Sequence, residues 1–387
     1  MAIIGIDATA LSTSACGGIG VSQYQTMRAL SEIDTPHRFV LYAATPPVVP
    51  FSRRPLDLPW PVRLGSGPLA RRNIVWMQTG VNRLLTEDHV DVFWGPRHLL
   101  PLRAHGAAKV ATINDFWERY YPDQQPWLNR QANRILIRRV VEHADVVAVP
   151  SRATARDAER FLVPTPGKVR VVPLGVDQEV FRPLGEARVR TALRRLHVTE
   201  PYLLSLDVYN PRKGFSVVLR AVSQLPRGLR ENLSVVALGR SRNTALEAKW
   251  LVEARNAGLG ARLRLPGDVE PGDLVALYSG ALALAYPSLY EGFGMPVLEA
   301  MACGCPVITA DCSSLPEVAG GAALLVDPTR PGQLAEAIEV LATDSKGRAR
   351  LITAGRVRAA ECTWRKTAVA MLAAFDDALR LRTGRAR

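Results

Sequence analysis

No apolar run in the sequence approaches the roughly 20 residues that a membrane-spanning helix requires. Its hydrophobic stretches, such as 146–149 and 281–285, have the length of buried strands. The opening MAIIGIDATA lacks a basic segment and its apolar run stops at Asp7, so a secretory leader is not expected. Cysteine is scarce. Five residues (Cys16, Cys303, Cys305, Cys312 and Cys362) make an odd, scattered set unlike a disulfide framework. Cys303 and Cys305 have no second cysteine pair or histidine pair near them, and the six histidines show no ligand spacing, which argues against zinc. Lysine occurs only six times, and neither internal repeats nor low-complexity tracts are found. These absences point to a reduced, cytoplasmic protein.

What is present is the composition of a globular protein: 387 residues, 48% apolar and 22% charged. At roughly 150 residues per domain, two or three domains are expected. The net charge of +13 invites nucleic acid, an anionic membrane surface or a phosphorylated ligand. Residues 1–183 carry 22 basic and 16 acidic side chains, and 184–387 carry 27 and 20. A nucleic-acid binder concentrates its charge in a stripe, so this even spread argues against nucleic acid. The arginines at 380, 382, 385 and 387 read as a solvated tail.

Short Val- and Ile-rich runs alternate with helical periods along the chain. Strands are expected near 2–6, 38–43, 90–94, 109–113, 145–150 and 169–173, then near 202–206, 233–238, 262–265, 281–286, 306–309 and 322–326. Such alternation implies an α/β fold of parallel sheets with crossover helices. Residues 181–200 break the pattern with a charged stretch bounded by Pro183 and Pro201, which reads as a connection. Two doubly wound halves result: an N-terminal domain at 1–183, a C-terminal domain at 184–364, and a last helix with a basic tail at 365–387 returning to the first. Ligands of such sheets sit beyond the carboxyl ends of the strands, so a cleft between the halves is expected.

The densest chemistry lies in residues 286–311, YPSLYEGFGMPVLEAMACGCPVITAD. It reads as strand, loop, helix, turn and strand. Gly292 and Gly294 permit close backbone approach, Pro296 suits a first helical turn, and Gly304 ends the helix. A helix N-terminus so placed attracts anions such as a diphosphate. Glu291 and Glu299, eight residues apart, are each able to accept from vicinal hydroxyls, as a sugar or ribose offers. Taken alone, the two glutamates read equally as a turn residue and a surface helix residue.

This segment, followed by SSLPEV at 313–318 and Val326-Asp327-Pro328, resembles the signature of the group 1, family 4 glycosyltransferases. IGID at 4–7, GGIG at 17–20 and LGVD at 174–177 resemble members acting in O-antigen and capsule assembly, many of them mannosyltransferases. The resemblance implies the GT-B architecture, two Rossmann-like domains facing an interdomain cleft, and transfer with retention of configuration. It implies that Glu291 contacts the donor sugar, that Glu299 binds the ribose, and that the amides of Phe293, Gly294 and Met295 face the sugar or its phosphates. A nucleotide-sugar donor and a glycan acceptor, lipid-linked by preference, follow from it, with anionic membrane contact at the inner face.

In the family a Gly-Arg pair and a later lysine neutralise the donor diphosphate. Lys213 matches the lysine, but the pair reads Asp207-Val208, leaving Arg212 or Arg240 as substitutes. The GGIG loop, with Gly18 and Gly20, departs from the dinucleotide fingerprint and is implied to face the donor phosphates; a simple tight turn is the alternative. Many relatives have His-Asp where this chain has Asn114-Asp115. Asn114 hydrogen-bonds but cannot serve as a base, so Asp115 is the candidate for orienting the acceptor hydroxyl, against a purely structural cap. Residues 116–127 hold Phe116, Trp117, Tyr120, Tyr121 and Trp127, five of the chain's 25 aromatics. They suit an acceptor-binding or membrane-dipping segment, or a packed connection.

No Asp-x-Asp occurs, so no metal and no other cofactor is expected. No carboxylate pair is assignable as glycosidase-type nucleophile and acid, which leaves front-face attack with the departing diphosphate taking the acceptor proton. A nucleotide-sugar epimerase on the same fold and a transferase using a soluble glycoside are the alternatives. A phosphorylase would need a longer chain and a pyridoxal-phosphate lysine.

Overall fold

The computed structural model describes residues 1–387 except 13–16, 51, 53, 66–72, 103–105, 125, 241–243 and 386–387. The chain divides into two units, Met1–Leu174 with Trp364–Arg387, and Gly175–Thr363. Among the described residues, no helix is long and apolar enough to cross a membrane.

Among the described residues of the first unit seven strands form one parallel sheet: β1 Ile3–Asp7, β2 Arg38–Ala43, β3 Val62–Leu64, β4 Val92–Gly95, β5 Ala108–Thr112, β6 Val146–Val149 and β7 Val169–Val171. Their order is β3-β2-β1-β4-β5-β6-β7. Sequences such as VVAV in β6 are buried along their whole length, as a parallel sheet covered on both faces requires. The edge strand β3 was not expected. Its exposed and half-buried pattern leaves no apolar signal to read. The helix Trp364–Arg385 belongs to this unit, with Ala368, Met371, Phe375 and Ala378 in its core and the Phe375 ring 5.9 Å from that of Trp94. Arg380 and Arg382 therefore lie on a packed helix, where a solvated tail was expected; Arg387 lies outside the described residues.

In the second unit β8 Tyr202–Ser205, β9 Ser234–Leu238, β10 Leu263–Gly267, β11 Ala283–Tyr286, β12 Val307–Ala310 and β13 Leu324–Val326 pair in parallel. Their order is β10-β9-β8-β11-β12-β13. The order reverses between β8 and β11, so the loops that leave these two neighbouring strands emerge side by side. Residues 181–200 are not the expected connection. They contain the helix Glu186–Arg195, whose Val189, Ala192 and Leu193 are buried, and Val189 lies so close to Gly280 that a methyl there would sit 2.7 Å from it. Ahead of it, Phe181 meets the Tyr278 ring edge-on at 6.3 Å and Leu184 N–H donates to Ser279 Oγ at 3.1 Å. These contacts tie residues on both sides of the expected 183/184 boundary to the second unit.

Candidate active site

The site assembles where β8 and β11 end. After β8 a single 3-10 turn, Pro211–Lys213, starts at Asn210, whose side chain accepts from Arg212 N–H at 3.2 Å. Gly214 follows at φ +71, and a Cβ there would stand 2.3 Å from the Pro287 carbonyl oxygen. This contact lets the turn lie directly against the loop leaving β11. Leu289 N–H donates to the Arg212 carbonyl at 2.8 Å, completing the join.

Glu291 is buried in that loop and is the most heavily partnered acid of the site. Its Oε1 accepts from Lys213 Nζ at 2.7 Å, Tyr286 Oη at 2.8 Å and Ser288 Oγ at 2.6 Å. Arg212 Nη1 stands 3.4 Å from Oε2 and donates to the Tyr290 carbonyl at 2.9 Å. Lys213 Nζ also donates to Tyr286 Oη at 2.5 Å and lies 5.0 Å from the centre of its ring. Burial alone raises the Glu291 carboxyl, but the charges of Lys213 and Arg212 and the hydrogen bonds from Lys213 and Ser288 outweigh it, and the group is held below the usual glutamate value. Burial, then the Glu291 charge, pushes the Tyr286 phenol far up, so it stays a neutral donor.

The backbone of the loop is fixed from the far side. Ser313 Oγ accepts from Glu291 N–H at 3.0 Å, and Ser314 Oγ contacts the carbonyl oxygens of Glu291 and Phe293 at 2.9 and 2.7 Å. Gly294, at φ +108, caps the helix Met295–Ala302; a Cβ there would meet Leu315 at 2.8 Å. Phe293 is buried, while Met295 opens the helix and remains half-buried. Further along, the half-buried Glu299 accepts from Tyr278 Oη at 3.0 Å. Burial pushes its carboxyl up to about 7 against that single hydrogen bond.

Of the two substitutes for the missing arginine, the structure brings Arg212 to Glu291 and Lys213. Arg240 instead pairs with Asp268 at 2.6 Å on the exposed surface. Val208, where the resemblance leads to the expectation of an arginine, is buried in the unit's core. Tyr286, Ser288, Ser313, Ser314 and Tyr278 were not singled out from sequence. Tyr286 and Ser288 stand two apart at the end of a strand, the spacing that puts side chains on one face, which was the available signal.

In the first unit Gly17 caps the helix Gly18–Ser31; Gly18 is exposed, Gly20 is buried, and Cys16 lies outside the described residues. Gln23 Nε2 donates to the Asp7 carbonyl at 2.6 Å, tying this helix to the carboxyl end of β1. Asn114, just past β5, donates to the Pro96 carbonyl at 3.2 Å and lines a small pocket with Gln23, Thr112 and Pro150. Asp115 accepts from Trp117 N–H at 3.4 Å, ahead of the short helix Trp117–Tyr120. Phe116 and Tyr120 pack on Phe161 at 5.8 and 5.4 Å between ring centres, so this part of the aromatic segment is a packed connection.

Residues 194–358 match the family model for glycosyl transferases group 1, and residues 16–180 that for glycosyltransferase family 4. The D-inositol 3-phosphate glycosyltransferase of Corynebacterium glutamicum is 30% identical over 71% of this chain and 66% of its own length, so the chain spans just under two thirds of that relative. The O-antigen chain mannosyltransferase B of Escherichia coli is 27% identical over 72% of each chain. Among solved structures, Anabaena HepE in complex with UDP and glucose superposes with a TM-score of 0.73 at 16% identity, covering 96% of this chain and 99% of HepE. With both halves matched and two parallel-sheet units of the GT-B kind, the chain belongs to the group 1, family 4 glycosyltransferases.

Proposed function

We propose that the chain transfers a hexose, mannose by preference, from a nucleoside-diphosphate sugar to a hydroxyl of a lipid-linked glycan, retaining the anomeric configuration. The setting is cell-surface polysaccharide assembly at the cytoplasmic face of a membrane. The observation that carries this reading is the pairing of two cations with one buried carboxylate at the sheet's carboxyl edge. A diphosphate is the ligand that two adjacent cations suit, and sugar hydroxyls are the donors that a carboxylate accepts. The HepE complex with UDP and glucose supports a nucleotide donor on this fold.

In this reading Lys213 and Arg212 turn from Glu291 to the diphosphate and supply the countercharge without a metal. Glu291, relieved of them, holds the sugar hydroxyls, and Glu299 accepts from the ribose. The bond from the anomeric carbon to the diphosphate oxygen breaks as the acceptor oxygen bonds on the same face. The departing diphosphate oxygen takes the acceptor proton. Asp115 and Asn114 orient the acceptor hydroxyl, and Gly18 and Gly20, which lie in the first turn of the helix Gly18–Ser31 and not in the loop expected before it, leave that helix N-terminus bare of side chains at those two positions.

The likeness to an O-antigen chain mannosyltransferase supports the glycan acceptor, and the likeness to D-inositol 3-phosphate glycosyltransferases keeps a soluble small-molecule acceptor as the second reading. A thermal-shift screen against UDP-, GDP-, ADP- and dTDP-sugars identifies the donor, since ligands that bind the native state raise its melting point. Nucleoside-diphosphate release only when acceptor is present, and a product of unchanged anomeric configuration by NMR, are expected. Conversion of the nucleotide sugar without acceptor would establish the epimerase instead, and an inverted product would refute the front-face course.

A further inference from the structure

The two cations of the site are already paired with an anion of the chain itself. Lys213 stands 2.7 Å from Glu291 Oε1, and Arg212 stands 3.4 Å from Oε2. The Lys213 and Glu291 side chains are each 9% exposed and that of Arg212 is 13% exposed, so solvent screens these pairs little. A diphosphate that calls on the same cations competes with a carboxylate of the protein.

Each cation also has an uncharged anchor that does not depend on Glu291. Lys213 Nζ donates to Tyr286 Oη at 2.5 Å and lies 5.0 Å from the centre of the ring. Arg212 Nη1 donates to the Tyr290 carbonyl at 2.9 Å, a shorter contact than the one it makes to Glu291. Tyr286 is the last residue of β11 and is fully buried, so the sheet fixes its position. Anchored in this way, both cations can change charged partner without leaving the site.

Glu291 bears the cost of that exchange. Once Lys213 and Arg212 turn to a diphosphate, the Tyr286 and Ser288 hydroxyls still donate to Oε1, but the countercharge is shared with an incoming anion. A buried carboxylate in that position is strongly disfavoured. Burial raises the Glu291 carboxyl and the two cations bring it down, so its charge depends on them. A sugar on the diphosphate changes the outcome, because its hydroxyls donate to the carboxylate in place of the departing N–H groups. A bare nucleoside diphosphate brings the anion without those donors.

We propose that Glu291 is an internal competitor for the phosphate-binding cations, and that it makes the site select a nucleoside diphosphate carrying a sugar over the bare nucleoside diphosphate. This rests on the transferase reading and deepens it by accounting for product exit. When the sugar has passed to the acceptor, Glu291 loses its donors, recaptures Lys213 and Arg212, and loosens the hold on the diphosphate.

The test is isothermal titration calorimetry of the full chain without acceptor, with GDP-mannose against GDP and UDP-glucose against UDP. Coupling between two subsites commonly amounts to about 5–150-fold, so the sugar nucleotide that binds is expected to do so at least about tenfold more tightly than its own diphosphate. E291Q removes the competing charge. It is expected to bind the diphosphate about tenfold more tightly than the wild type does and to lose the preference for the sugar nucleotide. A glutamate that only touched the sugar would leave diphosphate affinity unchanged in E291Q, and one that only held the fold would weaken both ligands and keep the preference.

Equal affinity of the wild type for a sugar nucleotide and its diphosphate overturns the proposal, and this comparison stands even where E291Q fails to fold. So does a folded E291Q that binds the diphosphate no more tightly than the wild type. Failure of the underlying reading looks different. Equal binding of both ligands removes the competitor and leaves the transferase standing, whereas conversion of the sugar nucleotide without acceptor, or no binding of any of the four, removes the transferase and the proposal with it.

Discussion

Glu291 carries its charge in a buried position only because two cations and two hydroxyls surround it. Removing Lys213 therefore acts twice. K213A is expected to lower turnover about 10²–10³-fold, as loss of an oxyanion-stabilising group does. It is also expected to destabilise the fold by up to about 3 kcal/mol, the low edge of the cost of orphaning a buried charge, because Arg212 stays. Steady-state kinetics and urea unfolding read the two effects separately, and an unaltered turnover would remove Lys213 from the leaving-group site. The two glutamates respond to pH with opposite signs. Glu291 keeps its charge to lower pH than an unfolded glutamate, so its contribution is complete above about 4.5 and is lost as pH falls through its depressed folded value. Glu299, pushed up to about 7, binds a proton more readily when folded, so it subtracts stability as pH rises from about 4.5 to 7. E299Q is therefore expected to gain on the wild type across that interval and level off above it in melting experiments. A pH-independent difference would contradict this. Y286F, lacking a donor to Glu291, is expected to move the acid limb of nucleotide-sugar binding to higher pH, measured by titration calorimetry between pH 4 and 8.

The element that matters most is the join between two loops, and its tightness resides in Gly214. Alanine there would need a left-handed backbone and would drive its methyl against the Pro287 carbonyl. G214A is expected to cost about 1–3 kcal/mol by chemical unfolding and to weaken nucleotide-sugar binding together with it. If binding weakened with no stability change, the join would matter to the ligand alone. Such joins also mark how far sequence reasoning reaches. The central strands of both sheets, such as β6, β9 and β11, were legible because each is a short run of mostly Val, Leu or Ala that is buried throughout, whereas the exposed edge strand β3 was not. The helix Glu186–Arg195 was hidden by its arginines, although Val189, Ala192 and Leu193 stand at helical spacing. Glu291 and Lys213 were legible through motif and resemblance. The hydroxyl that links them was not, because Tyr286 meets a lysine 73 residues earlier in the chain. Likewise, Val208 reads as a lost arginine until its burial shows that the position faces the core.

For the molecule as a whole, the last helix completes the first unit. Phe375 is fully buried there, and F375A is expected to cost about 3–5 kcal/mol by urea unfolding, whereas V369A, on the exposed side, is expected to change stability by less than about 0.5 kcal/mol. Equal effects would mean that the helix is a passive appendage. The crossing segments are pinned close to their ends: Thr367 Oγ1 donates to the Pro173 carbonyl at 2.7 Å, and Val176 N–H to the Cys362 carbonyl at 3.0 Å. Between Leu174 and Trp364 lie about 190 residues of the second unit. On a ribosome adding 5–20 residues per second, roughly ten to forty seconds separate the seventh strand of the first sheet from the helix that covers it. For that time the nascent first sheet has an uncovered apolar face while the second unit is being made, and that unit is complete at Thr363, before the last helix is synthesised. The later-encoded unit is thus the first able to finish folding, and the earlier-encoded one is the chaperones' concern.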